Sequence, residues 1–124
     1  MALGYVLVES MRPGTRIERL PLMLRKIERY TVDDATADQP SVWTTVEFDF
    51  PDEEAERLAG ALAGVLEEHG GWYSHFNVAG ETFVVYAGRV FRYRSGDESA
   101  RAAAEEHGRS LGVPESQLDW DEDE

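Results

Sequence analysis

Cysteine is absent from the 124 residues, which removes disulfide bridges, thiolate zinc and iron–sulfur sites, and thiol nucleophiles. A chain without disulfides is expected in a reducing cytoplasm. Long apolar runs are missing as well. The opening MALGYVLVES has no basic flank, and its apolar stretch is too short for a secretion signal or a membrane span, so it is expected to form a strand. Basic residues are scarce, 12 against 25 acidic ones, for a net charge of -13. A field of that sign repels phosphate backbones and anionic lipid surfaces, which argues against nucleic-acid and membrane partners. The motifs GxxxxGK[ST], GxGxxG, GxSxG and HExxH do not occur, and histidine appears only three times, at positions 69, 75 and 107. No cofactor or metal follows from such a set.

The charge that is present is uneven. Residues 1–32 hold six basic side chains against Glu9, Glu18 and Glu28, a net of +3 that leaves -16 for the remainder. The expected consequence is attraction between the two parts of one fold. Residues 4–9 and roughly 22–32 read as extended, separated by a Pro13-Gly14 turn, and the second alternation slips around Arg25-Lys26 as at a bulge or an edge. VWTTVEFDF then alternates cleanly, with Val42, Val46, Phe48 and Phe50 on one side and Trp43, Thr45, Glu47 and Asp49 on the other.

Pro51 followed by Asp52, Glu53 and Glu54 marks a helix entrance, and Ala55, Leu58, Leu62, Val65 and Leu66 recur at helical spacing. Gly70-Gly71 is the expected stop, with His69 as a capping residue in the last turn. A second helix is expected after Ser95-Gly96-Asp97, with Ser95 and Asp97 as competing caps and Ala100, Ala103, Ala104, His107 and Leu111 facing inward. Gly112 and Pro114 end it, and one further turn should pin Leu118 and Trp120. The order is thus β-β-β-α-β-β-β-α. The expected fold is α+β, a mostly antiparallel sheet with two helices on one face, loosely ferredoxin-like, with residues 1–118 as one domain and 119–124 as an acidic tail.

Trp72 to Arg94 reads as a three-stranded meander turned at Ala79-Gly80 and Ala87-Gly88. Two-residue turns would set Phe76 against Phe83 and Val85 against Val90, giving a nearly all-apolar face for the helices to cover. The opposite face would then carry Tyr73, His75, Asn77, Thr82, Val84, Tyr86, Arg89, Phe91 and Tyr93, with no helix assigned to it. The rings and cations of GRVFRYRSGD superficially resemble an RNA-binding sheet, but the anionic surroundings disfavour that use.

Tyr73, His75, Tyr86, Arg89, Phe91 and Tyr93 are therefore the candidate binding residues of a non-enzymatic interaction or self-association module. The expected partner is a second copy or another protein, and a small aromatic or apolar ligand fits the same rings. The bland reading of the same face is burial under the irregular N-terminal segment. The alternative function is a small-ligand-binding protein, or a small enzyme using His75 as general base in a sheet-face pocket. No catalytic residue is assigned, and a metal shared by His75 and His107 is disfavoured because the expected fold puts the sheet between them. GGWYSHFNVAGETFVVYAGRVFRYRSGD, followed by GRSLGVPESQLDW, resembles a set of small acidic bacterial proteins of unassigned function. That resemblance implies a stand-alone cytoplasmic domain and carries no site residues with it.

Overall fold

A computed structural model describes residues 1–123. Its strands are β1 (Ala2–Leu7), β2 (Met23–Thr31), β3 (Val42–Phe50), β4 (Ser74–Val78), β5 (Glu81–Tyr86) and β6 (Arg89–Arg94), with helices α1 (Ala55–Val65) and α2 (Glu98–Ser110). The strands form two three-stranded antiparallel sheets in the orders β1-β3-β2 and β4-β5-β6. The chain is α+β and mostly sheet, in the expected element order. The ferredoxin-like likeness finds no confirmation in this topology. β1 and β4 run beside each other at the junction, where Ser74 Oγ donates to the Tyr5 carbonyl at 2.9 Å.

The meander has the register that its turns imply. Phe76 lies opposite Phe83 and Val85 opposite Val90, because Ala79-Gly80 and Ala87-Gly88 are both two-residue connections. Ala79 and Gly80 adopt φ of 51° and 82°, and Gly88 adopts 71°, the left-handed geometry that matches the twist of paired strands. The bulge foreseen near Arg25 is also present, as a register shift between Leu24 and Lys26.

The helices do not share a face. The apolar stripe of α1 packs Leu58 and Leu62 onto Phe76, Phe83 and Val85, and the same core takes in Ala2, Val6, Phe48 and Phe50 of the other sheet. With that side filled, α2 lies on the opposite face of the meander, where Ala104, Val113, Leu118 and Trp120 cover Val84, Tyr86 and Tyr93. The physical reason lies in β5. Thr82, Phe83, Val84, Val85 and Tyr86 are all buried, so both faces of this strand need a covering layer. The Ser95–Asp97 connection places α2 there, and the Asp97 carboxylate caps it by accepting from the Ala100 N–H at 3.1 Å.

Two boundaries differ from expectation. α1 ends at Val65, ahead of Gly70-Gly71, because the next residues are held elsewhere: Arg12 N–H donates to Val65 O and Glu67 N–H to Ser10 O, each at 2.8 Å. His69 is therefore outside the helix and does not cap it. The acidic tail is anchored through Asp123, with Glu122 accepting from Tyr93 Oη at 2.6 Å and Gly96 N–H at 2.8 Å. Glu124 lies outside the described residues.

Close approach of α2 depends on Gly108. A Cβ there would stand 2.6 Å from Tyr86 Oη and 2.9 Å from a Leu118 methyl, whereas one at Gly60 on the exposed side of α1 meets nothing within 4 Å. Gly60→Ala is expected to raise unfolding free energy by about 0.5–1 kcal/mol through backbone entropy. Gly108→Ala should instead lower it by about 1–3 kcal/mol through overpacking. Urea denaturation of the two variants checks the opposite signs.

Candidate functional site

The outer face of the β1-β3-β2 sheet carries Tyr5, Trp43, Thr45, Glu47, Asp49 and Lys26, since successive strand residues point to opposite sides. β4, from His75 to Val78, and the C-terminal residues Asp121 and Asp123 lie beside this face. Between them opens a cleft of about 670 Å³, bordered by Tyr5, Lys26, Glu47, His75, Asn77 and Asp121 among others. A second hollow of about 240 Å³ continues on the other side of Tyr5, towards Trp43, Trp72 and Tyr73. The rings of Trp43 and Trp72 meet there at 5.1 Å.

His75 lies at the centre of the polar wall. Tyr5 Oη is 3.2 Å from its Nδ1, and its Nε2 faces Asp121 Oδ1 at 3.8 Å. Burial lowers the His75 pKa from its ordinary 6.5, outweighing the upward pull of Asp121 and Asp119, and Arg101 adds to the lowering. The imidazole is thus neutral at pH 7. We assign the single ring proton to Nε2, the nitrogen that faces the carboxylate, and in that tautomer Nδ1 accepts from the Tyr5 hydroxyl. Burial pushes the Tyr5 phenol up, which keeps it protonated as that donor.

Asn77 fixes the rim. Its Nδ2 donates to Asp121 O at 3.1 Å, to Asp121 Oδ1 at 3.2 Å and to Asp123 O at 3.0 Å. Its Oδ1 accepts from Thr82 Oγ1 at 2.7 Å, and a flipped amide would set this oxygen against the three oxygen acceptors of Asp121 and Asp123. Across the cleft, Arg25 pairs with Asp49 at 3.3 Å and Lys26 with Glu47 at 3.5 Å. Among the described residues, no group of three or more histidine, aspartate or glutamate side chains is placed to hold a metal ion.

The six residues singled out by the sequence do not form one open surface. Tyr86 and Tyr93 are buried beneath α2 and the C-terminal segment, with Tyr86 Oη donating to Ala104 O at 2.7 Å and Tyr93 Oη accepting from Trp120 Nε1 at 2.9 Å. Phe91 is half-buried, with the Arg89 guanidinium 4.4 Å above its ring and His107 at 5.4 Å. Tyr73 donates to Gln117 O and lines the smaller hollow. Only His75 reaches the larger cleft. The expectation of an uncovered aromatic face, on which a second copy could stack, is corrected. α2 and the C-terminal segment occupy most of that face, and the N-terminal part meets it only at its His75 end, through the Tyr5 ring of β1. His75 and His107 consequently share a side of the meander, in separate surroundings.

No protein-family model, curated protein or solved structure matches the chain.

Sequence reading missed Tyr5, Lys26, Glu47 and Asp121, since each reaches the cleft from a different stretch of chain. The alternation of β3 put Glu47 and Asp49 on a polar side, which was the available signal. Which polar side would be roofed by the C-terminus depends on how the two sheets meet. Among the described residues, no helix is long and apolar enough to cross a membrane.

The site titrates with folding. His75 binds its proton more weakly folded than unfolded, so its neutral form contributes stability above its ordinary pKa that is lost as pH falls below it. Glu9 is pushed up by burial but ends lowered, because the Thr44 N–H and hydroxyl and Arg29 outweigh that cost. Glu122 is likewise pushed up by burial and ends lowered through Tyr93, Gly96 and Arg101, so both carboxylates lose their contributions further into acid. An imidazole NMR titration is expected to place His75 below 6.5. Unfolding free energy should decline on acidification through that region, less steeply in His75→Gln, while His107, also lowered by burial, keeps part of the slope. A His75 midpoint above its ordinary value would mean that Asp121 outweighs burial.

Proposed function

We propose that the chain binds a small polar molecule in the cleft beside His75. The observation that carries this reading is a recess of about 670 Å³ whose polar wall is held in place by the Tyr5–His75–Asp121 contacts. A pre-formed recess with a few fixed donors and acceptors is the usual form of a small-molecule site. The lining offers both signs of charge and both senses of hydrogen bond: Lys26 and Arg25 on one side, Asp121, Asn77 and the imidazole on the other. A compact ligand with donors and acceptors at its two ends suits that distribution.

Binding is favoured over general-base catalysis by the state of the imidazole. A base must lie within hydrogen-bond reach of the substrate proton that it abstracts. Here both ring nitrogens face groups of the protein itself, Nδ1 the Tyr5 hydroxyl at 3.2 Å and Nε2 the Asp121 carboxylate at 3.8 Å, so the proton nearest the ring is that of the Tyr5 phenol and not of a substrate. The ring is arranged to present a fixed polar surface to the cleft.

Chemical-shift mapping with a library of amino acids, nucleosides and small carboxylic acids tests the reading. Amide shifts are expected to cluster at Tyr5, His75, Asn77 and Asp121, and Tyr5→Phe should weaken the best hit by about tenfold, the size of one lost buried hydrogen bond. Shifts confined to other surfaces would defeat the proposal.

A further inference from the structure

β2 is the outer strand of its sheet, and every residue from Met23 to Thr31 except Tyr30 is exposed. Three of them are large and apolar: Met23, Leu24 and Ile27 are 63%, 59% and 61% accessible. α1 does not extend over this end of the core face, where Leu24 and Ile27 sit opposite Phe48 and Val46. Such an edge presents unpaired backbone groups as a template for another strand.

The charges on β2 select what that strand is. Lys26, the only lysine of the chain, and Glu28 point to the same side and touch within one strand at 3.6 Å. If β2 pairs with its own copy antiparallel about a two-fold axis at Ile27, Lys26 of each chain stands opposite Glu28 of the other, twice over. The Arg25 bulge, with its side chain turned to Asp49, then lets Leu24 face Arg29 and Met23 face Tyr30 across the axis, so apolar or long-stemmed groups meet on matching sides. Slipping the pair by two residues either way brings Glu28 against Glu28 or Lys26 against Lys26. A one-residue slip sets the Leu24–Ile27 side against the charged side. Lysine and a bulge on an edge normally discourage pairing with arbitrary strands. On this edge the same features complement one partner in one register.

We infer that the chain self-associates as a two-fold dimer through antiparallel pairing of β2, joining two β1-β3-β2 sheets into one six-stranded sheet. The contact lies at a locally basic strand of an anionic chain, where Arg25, Lys26 and Arg29 outnumber Glu28, so the acid-rich parts of the two copies need not meet there.

Sedimentation velocity over a concentration series, together with charge reversals on β2, tests this dimer. The wild-type mass should rise towards two chains. Lys26→Glu and Glu28→Lys should each weaken self-association by about tenfold or more, since each sets like charges together twice. An equimolar mixture of the two variants should recover the dimer. The carboxylate introduced at position 26 of one chain then faces the ammonium introduced at position 28 of the other, and the unaltered Glu28 of the first chain faces the unaltered Lys26 of the second. Far-UV circular dichroism monitors folding, and Ile27→Lys, which sets two ammonium groups on the axis, serves if either reversal fails to fold. A wild type that stays at one-chain mass, single variants that remain dimeric, or a mixture that does not associate would each overturn the inference.

Discussion

The demand that both faces of β5 be covered organises this molecule. A strand reading Thr-Phe-Val-Val-Tyr has no side that water can solvate cheaply, so the meander needs a layer above and a layer below. α1 supplies one and α2 with the C-terminal segment supplies the other. Everything later in the chain follows from this division. The C-terminus has to cross the aromatic face to bring Leu118 and Trp120 onto Tyr86 and Tyr93, and in doing so it delivers Asp121 to His75.

The polar chemistry of that face is a consequence of burial. Tyrosine hydroxyls under a helix need partners, and they find them in Ala104 O, Glu122 and Trp120 Nε1. No buried side-chain nitrogen or oxygen among the described residues lacks a partner. Arg101 ties the same cluster together, stacking on the Trp120 ring at 4.6 Å while reaching Glu105 and Glu122. The acidic C-terminus, which looks like a solubilising tail in composition, is in large part the acceptor set that this network requires.

Charge asymmetry along the chain has a similar local explanation. The cations of the N-terminal part pair with acids on β3, Arg25 with Asp49 and Lys26 with Glu47. Arg29 lies 3.9 Å from Glu9, which itself accepts from the Thr44 N–H. Exposed pairs of this kind contribute little to stability. Their effect is to furnish one wall of the cleft with both signs of charge and to leave β2 as a basic strand on an anionic protein.

Much of the local structure was legible in the residues. Gly80 and Gly88 set two-residue turns and therefore the register of the meander, Asp97 marked a helix start, and the slip at Arg25 marked a bulge. These are short-range consequences of backbone sterics and alternation, which act within a few residues. The side on which a helix packs is different in kind. Alanines at 100 and 104 and Gly108 say only that α2 can approach something closely, and Val65 to Glu67 look like continuing helix until Ser10 and Arg12 are known to lie beside them. By itself, then, the sequence determined which residues pair and which share a face. Only the tertiary structure decided what covers each face and which distant residues meet at His75, because those outcomes depend on competition among layers for the same apolar surface.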